Sequence, residues 1–236
     1  MKGKLYGIGT GPGDPELLTL KAIRKIQDSD AIAVPEPLDG ERTAFRIIEE
    51  YAGDKPLLEC AFAMEMDMTK RRAARKIAAD KIIALLEQGK TVAFITLGDP
   101  MTYSTYSYIQ QYVVDQGFQT EVVPGITSFA GAAAELGVSL CDGSDTLTII
   151  PASHDENVDE LLARPGNKVI MKSGKKLEAV LDKLEQAGLG QQTMIASRVT
   201  MSGQQLFRSI QEYRDVRAER PEIGYFTVAI VKEGKQ

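Results

Sequence analysis

The chain uses the tripeptide Gly-Asp-Pro twice, each time directly behind a strand-like apolar run. Gly13-Asp14-Pro15 follows Leu5-Tyr-Gly-Ile-Gly-Thr-Gly-Pro12, and Gly98-Asp99-Pro100 follows Thr91-Val-Ala-Phe-Ile-Thr-Leu97. An apolar run, a turn, an Asp able to accept from free helical N–H groups and a Pro suited to the first helical position together describe a strand passing into a helix. Two such corners constrain the chain to an α/β fold, in which ligands bind outside the carboxyl ends of the strands. The second corner continues as Met101-Thr-Tyr-Ser-Thr-Tyr-Ser-Tyr108, far richer in hydroxyls than packing requires.

The rest of the sequence keeps the same alternation. Strand patterns at Lys4–Gly9, Ala31–Pro35, Thr91–Thr96 and Thr120–Pro124 alternate with helical patterns at Pro15–Gln27, Thr43–Tyr51, Lys70–Gln88, Thr102–Asp115 and Ser128–Leu136. This reads as βαβ units on a mainly parallel sheet. The turn-rich stretch Gly137–Asp145 is expected to be a hinge, giving an N-terminal domain over 1–140 and a C-terminal one over 141–236. The second holds strand patterns at Thr146–Pro151, Lys168–Lys172, Thr193–Arg198, Gln205–Ser209 and Tyr225–Lys232 but only two convincing helices, Val158–Ala163 and Leu177–Ala187.

Charge at the two corners narrows the ligand. A phosphate site at a helix start leaves its N–H groups free, whereas Asp14 and Asp99 would occupy them and repel an anion. A neutral or cationic ligand fits better. Gly7, Gly9, Gly11 and Gly13 miss the dinucleotide spacing G-x-G-x-x-G, because Pro12, Asp14 and Glu16 stand where its last glycine would fall. Glycines in one turn can equally serve tight turning and close packing, so both readings stand; two matched corners and the hydroxyls favour a site.

Other chemistry is missing. No G-x-S-x-G elbow, H-E-x-x-H helix or Cys/His dyad occurs, and Cys60 and Cys141 lie apart with no ligand spacing, which leaves neither a zinc site nor a disulfide framework and implies reduced thiols. A net charge of −5 argues against general nucleic-acid binding. No apolar run approaches a membrane span and no signal peptide precedes the first strand, so a cytoplasmic protein is expected. Met64, Met66 and Met68 alternate with acids, a pattern of core or lid packing or of an adaptable wall over a flat ligand. Lys70-Arg-Arg and Arg75-Lys76 read as a solvated face or a cradle for carboxylates, and His154 as a surface residue.

Tyr6-Gly-Ile-Gly-Thr-Gly-Pro-Gly-Asp-Pro-Glu-Leu-Leu-Thr-Leu-Lys-Ala22, Thr96-Leu-Gly-Asp-Pro-Met-Thr-Tyr-Ser-Thr-Tyr106 and Val123-Pro-Gly-Ile-Thr-Ser128 resemble the tetrapyrrole (corrin/porphyrin) methyltransferases over almost the whole chain. The Tyr-Ser-Thr-Tyr form resembles the C20-methyltransferases of cobalamin biosynthesis, which act on precorrin-2 or cobalt-factor II. The resemblance implies two α/β domains with a cofactor cleft between them, S-adenosylmethionine as cofactor, an acidic tetrapyrrole as substrate and a homodimer. Carried over motif by motif, it implies cofactor contacts at Pro12, Leu97, Gly98, Asp99 and Thr102, with Tyr103, Ser104 and Thr105 beside them. It further implies contacts at Thr127, Ser128, Met171 and Thr227, and at Val199, where Arg198-Val-Thr-Met201 departs from the family's usual Gly-Thr turn. No catalytic base and no metal are implied, and Lys70–Lys76 and Arg198 are candidates to hold substrate carboxylates. Alternatives are uroporphyrinogen methyltransferase, diphthine synthase or a non-catalytic tetrapyrrole-binding protein.

Overall fold

Leu5 and Tyr6 are neighbours in sequence yet belong to different hydrophobic clusters, because successive side chains of a strand face opposite sides of its sheet. A computed structural model describes residues 2–35, 42–62, 68–152, 158–219 and 226–233. Met64, Met66 and His154, together with Tyr225 at the start of the last expected strand, lie outside the described residues. The chain divides into two units, Met1–Thr127 and Ser128–Gln236.

The first unit is built on strands β1 (Lys4–Gly9), β2 (Ala31–Pro35), β3 (Leu57–Cys60), β4 (Thr91–Thr96) and β5 (Gln119–Val123). They form one sheet in the order β3-β2-β4-β1-β5, and every pair is parallel. Helices α1 (Leu20–Asp28) and α2 (Thr43–Ala52) cover one face, where Tyr6, Ile8, Ala93 and Ile95 meet Ile26 and Ile48. On the other, α3 (Met68–Glu87) and α4 (Tyr106–Asp115) bring Ile82, Leu86 and Ile109 against Leu5, Val92 and Phe94. Burial on both faces explains the nearly continuous apolar runs of β1 and β4.

Three local expectations change here. The helix expected over 15–27 is two elements: Pro15–Leu17 is a single 3₁₀ turn behind Asp14, and α1 starts afresh after Thr19, whose Oγ1 accepts from Ala22 N at 3.1 Å. Extended Leu18 separates them, and a good N-cap at Thr19 fixes the restart. Likewise α4 begins at Tyr106 rather than Thr102, with Ser104 Oγ accepting from Tyr106 N at 3.2 Å. Strand β3 is an addition to the expected elements; it is a short sheet edge paired only with β2, and its half-buried Leu57-Leu-Glu-Cys carries little pattern.

At the other edge, Glu121 of β5 accepts from Lys21 Nζ at 2.8 Å and Lys4 Nζ at 2.6 Å. These bonds, Lys21 first, lower its carboxyl from the ordinary 4.5 to about 2. A depressed folded-state pKa stabilises above the unfolded value and is lost as pH falls from 4.5 towards 2. Glu121→Gln should therefore lower the urea midpoint at pH 7 and match the parent near pH 2. A gap that persists in acid would assign the loss to packing instead.

The second unit begins with α5 (Ser128–Leu136) and continues through β6 (Leu147–Pro151), α6 (Val158–Leu162), β7 (Asn167–Met171), α7 (Leu177–Gln186), β8 (Thr193–Ser197), β9 (Gln205–Phe207), α8 (Ile210–Glu219) and β10 (Thr227–Val231). The strand order is β6-β7-β10-β8-β9, with β6 and β7 parallel and β10 antiparallel to both of its neighbours. Helices α6, α7 and α8 pack on one face against Ile150, Ile170, Ile195 and Val231; α5 packs on the other against Val169, Ala196, Val228 and Ile230.

That placement of α5 puts the division at Thr127 and Ser128, earlier than the expected hinge. The stretch 137–145 is tied to the second sheet instead, since Asn167 Nδ2 donates to Leu140 O at 2.7 Å and Lys232 Nζ lies 3.3 Å from Asp142. Helix α8 adds to the two helices expected over 141–236. Its apolar Ile210, Tyr213 and Val216 recur at helical spacing, while Arg214 and Arg217 bond Glu178, Asp182 and Glu185 on α7. Among the described residues no helix is long and apolar enough to cross a membrane.

Candidate functional site

In the first sheet the chain leaves β1 towards β2 on one side, and leaves β4 towards β5 on the other, with α1 and α4 on opposite faces. The carboxyl ends of β1 and β4 are thus the point at which the strand order reverses, where an open α/β sheet offers a crevice. Both Gly-Asp-Pro corners lie there.

Three loops interlock at this edge. Thr10 N and Thr10 Oγ1 donate to Thr96 O at 2.9 and 3.2 Å, and Gly11 and Gly98 exchange both backbone bonds, N to O, at 3.2 and 2.8 Å. Gly11 at φ +76° and Gly98 at φ +74° hold left-handed backbone that suits glycine. The loop after β5 then closes on the other two: a Cβ on Gly125 would fall 2.2 Å from Gly98 O, and one on Gly9 would fall 2.6 Å from Gly125 N. Gly7 has a different task, since a Cβ there would enter the Tyr106 ring at 2.1 Å. Tyr106 is fully buried, its hydroxyl has no hydrogen-bond partner among the described residues, and burial pushes its pKa up.

Asp99 is the knot of the three loops. Its Oδ1 accepts from Met101 N at 2.9 Å and Thr102 Oγ1 at 3.3 Å, and its Oδ2 from Gly125 N at 3.0 Å. The expectation that Asp99 caps a helix directly is corrected: no helix starts at 100, and the carboxylate joins the β4 loop to the β5 loop. Asp14 does cap, taking Glu16 N at 2.8 Å, but at the 3₁₀ turn. Beyond Asp99, Tyr103 is 45 % exposed at φ +51°, and Ser104 Oγ lies 3.1 Å from Thr96 Oγ1. Pro12, Leu97, Gly98, Asp99, Thr102, Tyr103, Ser104 and Thr105 therefore gather along one edge of the first unit.

The remaining residues divide. Thr127 ends the first unit and Ser128 opens α5 in the second. Met171 ends β7, Thr227 opens β10, and Thr227 lies opposite Ser197, the last residue of β8. Because β10 runs against β7 and β8, these three share one edge of the second sheet, with Val199 just beyond it. Thr227 Oγ1 donates to Ser197 Oγ at 3.2 Å within the core. Val199 is buried between Arg198 at φ +50° and Thr200 at φ +59°, both strained for residues with a side chain.

Sequence reasoning passed over Thr10, Ser197 and the knot at Gly125. Only the Pro124-Gly125 turn advertised itself. Of the basic run on α3, Arg75 stacks on the Tyr108 ring at 3.5 Å and Lys76 pairs with Asp80 at 2.7 Å, so these two are engaged on the helix surface.

The loops 10–15, 97–105 and 123–128 contain no Lys or Arg, and their turn N–H groups already bond Asp14 and Asp99. This is a poor seat for phosphate and a suitable one for a cation with neutral hydrogen-bonding arms.

Comparison with known proteins agrees with this chemistry. The chain is 33% identical over 236 residues to the cobalt-precorrin-2 C(20)-methyltransferase of Salmonella typhimurium, covering 99% of this chain and 98% of that one. It is 29% identical to the precorrin-2 C(20)-methyltransferase of a Sinorhizobium species, covering 97% and 95%. The crystal structure of uroporphyrin-III C-methyl transferase from Thermus thermophilus, complexed with S-adenyl homocysteine, shares the fold at a TM-score of 0.71 and 19% identity, covering 98% of this chain and 97% of that one. Residues 4–212 match the model of the tetrapyrrole (corrin/porphyrin) methylases, a span that takes in both Gly-Asp-Pro corners and the first four strands of the second sheet, and the chain belongs to that family.

Proposed function

We propose that this chain transfers the methyl group of S-adenosylmethionine to C20 of precorrin-2 or cobalt-factor II in cobalamin biosynthesis, acting in the cytoplasm as a homodimer. The carrying observation is the edge where Asp99 knots the β4 and β5 loops inside the family's own motifs, free of basic residues and built from glycine backbone. Full-length similarity to methyltransferases named for this carbon supports the choice of substrate.

Pro12, Leu97, Gly98, Asp99, Thr102, Tyr103, Ser104 and Thr105 are the cofactor contacts proposed in the first unit, with Thr127 at its end. Ser128, Met171, Val199 and Thr227 are those proposed in the second. When bound, the cofactor supplies an electrophilic methyl on a sulfonium sulfur. The chain's own share is positioning: backbone groups and hydroxyls fix the methyl donor, and buried Met171 and Val199 offer apolar surface that keeps water away. Fixing two reactants in line can remove about 7–11 kcal/mol of barrier, which leaves little for acid–base groups to add. C20 of the substrate is electron-rich by conjugation with its pyrrole nitrogens, so no activated nucleophile is needed from the protein.

The test is an anaerobic incubation with methyl-labelled S-adenosylmethionine and, separately, precorrin-2 and cobalt-factor II, followed by NMR of the product. Label at C20 is the expected result, and the faster substrate states which metal form the enzyme takes. Label at any other carbon, or none with either substrate while the cofactor binds, would overturn the reading in favour of another tetrapyrrole or a binding role.

A further inference from the structure

Four residues other than glycine hold left-handed backbone among the described residues: Tyr103, Lys172, Arg198 and Thr200. Each stands next to or among the proposed cofactor contacts, and a side chain kept where glycine would be less strained needs a use. For two of them the use is local. Arg198 Nε donates to Ser202 O at 2.9 Å and Thr200 N to Gln204 Oε1, so both belong to the turn that carries Val199. Tyr103 sits in the turn between Asp99 and Ser104. Lys172 is different.

Lys172, at φ +55°, follows Met171 at the carboxyl end of β7, on the sheet edge where Thr227 opens β10. Its ammonium has no hydrogen bond, ion pair or ring contact among the described residues. Its neighbours in the same unit show how unusual that is: Lys168 pairs with Glu233, Lys183 with Asp159, Arg164 with Glu160, Arg214 and Arg217 with the acids of α7, and Lys232 with Asp142. The side chain remains accessible to solvent, yet partial desolvation lowers its pKa from the ordinary lysine value with no opposing charge to offset it. An incoming carboxylate would supply the missing partner.

We infer that Lys172 binds a carboxylate of the acidic tetrapyrrole and so positions the macrocycle beside the Met171–Thr227 edge. This rests on the proposed methyltransferase reading for the identity of the ligand. The alternative use of an accessible amine, accepting the proton lost from C20, predicts different kinetics and is an outcome of the same test.

Three variants separate these possibilities. Lys172→Met should raise KM for the tetrapyrrole at least tenfold while leaving the S-adenosylmethionine KM and the saturated kcat within about twofold of the parent. Lys172→Arg should restore most of that loss, because it returns the charge. Lys172→Gly should melt no lower than the parent, since it relieves the strained backbone, and should still show the KM defect. Unchanged tetrapyrrole KM in the Met and Gly variants would overturn the inference, as would a rise in cofactor KM alone. A fall in kcat at unchanged KM that Arg fails to rescue would overturn it in favour of the proton acceptor. Fluorescence quenching of uroporphyrin, a stable acidic tetrapyrrole, gives a readout independent of turnover. Should the parent transfer no methyl to C20, tenfold weaker quenching by Lys172→Met would still support the carboxylate contact, and equal quenching would sink it.

Discussion

Gly125→Ala is expected to spring open the three-loop edge of the first sheet. The added Cβ would sit 2.2 Å from Gly98 O and 2.8 Å from the carbonyl carbon and Cα of Gly9, all backbone atoms that have no rotamer to escape into. Overpacking of this kind costs about 1–3 kcal/mol, or roughly 2–12 °C in melting temperature for a chain of this size. The same displacement parts Gly125 N from Asp99 Oδ2, so S-adenosylmethionine affinity should fall with stability. Gly53→Ala is the control: φ is +57° and ψ −155°, backbone almost reserved for glycine, but nothing lies within 4 Å, so only backbone strain of about 1–3 kcal/mol is added, far from the edge. If Gly125→Ala melts above Gly53→Ala and binds the cofactor normally, the close approach of the loops is not what holds the edge.

Asp99→Ala should produce the opposite balance, a large loss of cofactor binding with a smaller loss of stability. It strips the acceptor from Gly125 N, Met101 N and Thr102 Oγ1 at once. These groups lie half-buried at the surface, where water can replace part of what each bond contributes, about 1.5–3 kcal/mol for a bond to a charged acceptor. What water cannot replace is the register of the two loops. We expect S-adenosylmethionine to bind at least tenfold more weakly by titration calorimetry, which corresponds to about 1.4 kcal/mol. Asp99→Asn should be no better, because its amide nitrogen would have to face either Gly125 N or Met101 N, donor against donor. Parent-like affinity in both variants would move the cofactor away from this edge.

Much of the architecture is written in local pattern. The buried strands β1, β2 and β4 begin and end where their apolar runs do, and α5 was legible over its whole length. Leu57–Cys60 escaped notice because an edge strand needs only one good neighbour, so its four residues carry no clean alternation. Helix α8 was obscured by charge, although Ile210, Tyr213 and Val216 keep its spacing; its Arg residues are spent on the acids of α7, a pairing that no reading of either helix alone reveals. The break at Leu18 was signalled by Thr19, a good cap hidden inside an otherwise helical pattern.

The candidate site divides in the same way. Asp99 is visible as a turn residue behind an apolar run, but its bond to Gly125 joins positions on different crossovers and depends on β1 lying between β4 and β5. Pairwise strand order of that sort has no local signature. The left-handed backbone at Lys172 is equally silent, since nothing in Met171-Lys-Ser-Gly174 requires it until β7 has ended and the chain must turn. Of the alternating methionines, Met64 and Met66 lie outside the described residues, and Met68 opens α3, 54 % exposed.

Strand β10 lies at the centre of the second sheet although it is the last described strand of the sequence, and this sets an order of events during synthesis. The first sheet needs nothing beyond Val123 and can assemble while the ribosome is still translating the second unit. The second sheet cannot: until Thr227–Val231 has left the exit tunnel, β6 and β7 remain one loose pair and β8 and β9 another, with their apolar faces open. A nascent chain therefore carries a finished half and an unsatisfied one, and the interval before β10 arrives is when it most needs protection from other chains.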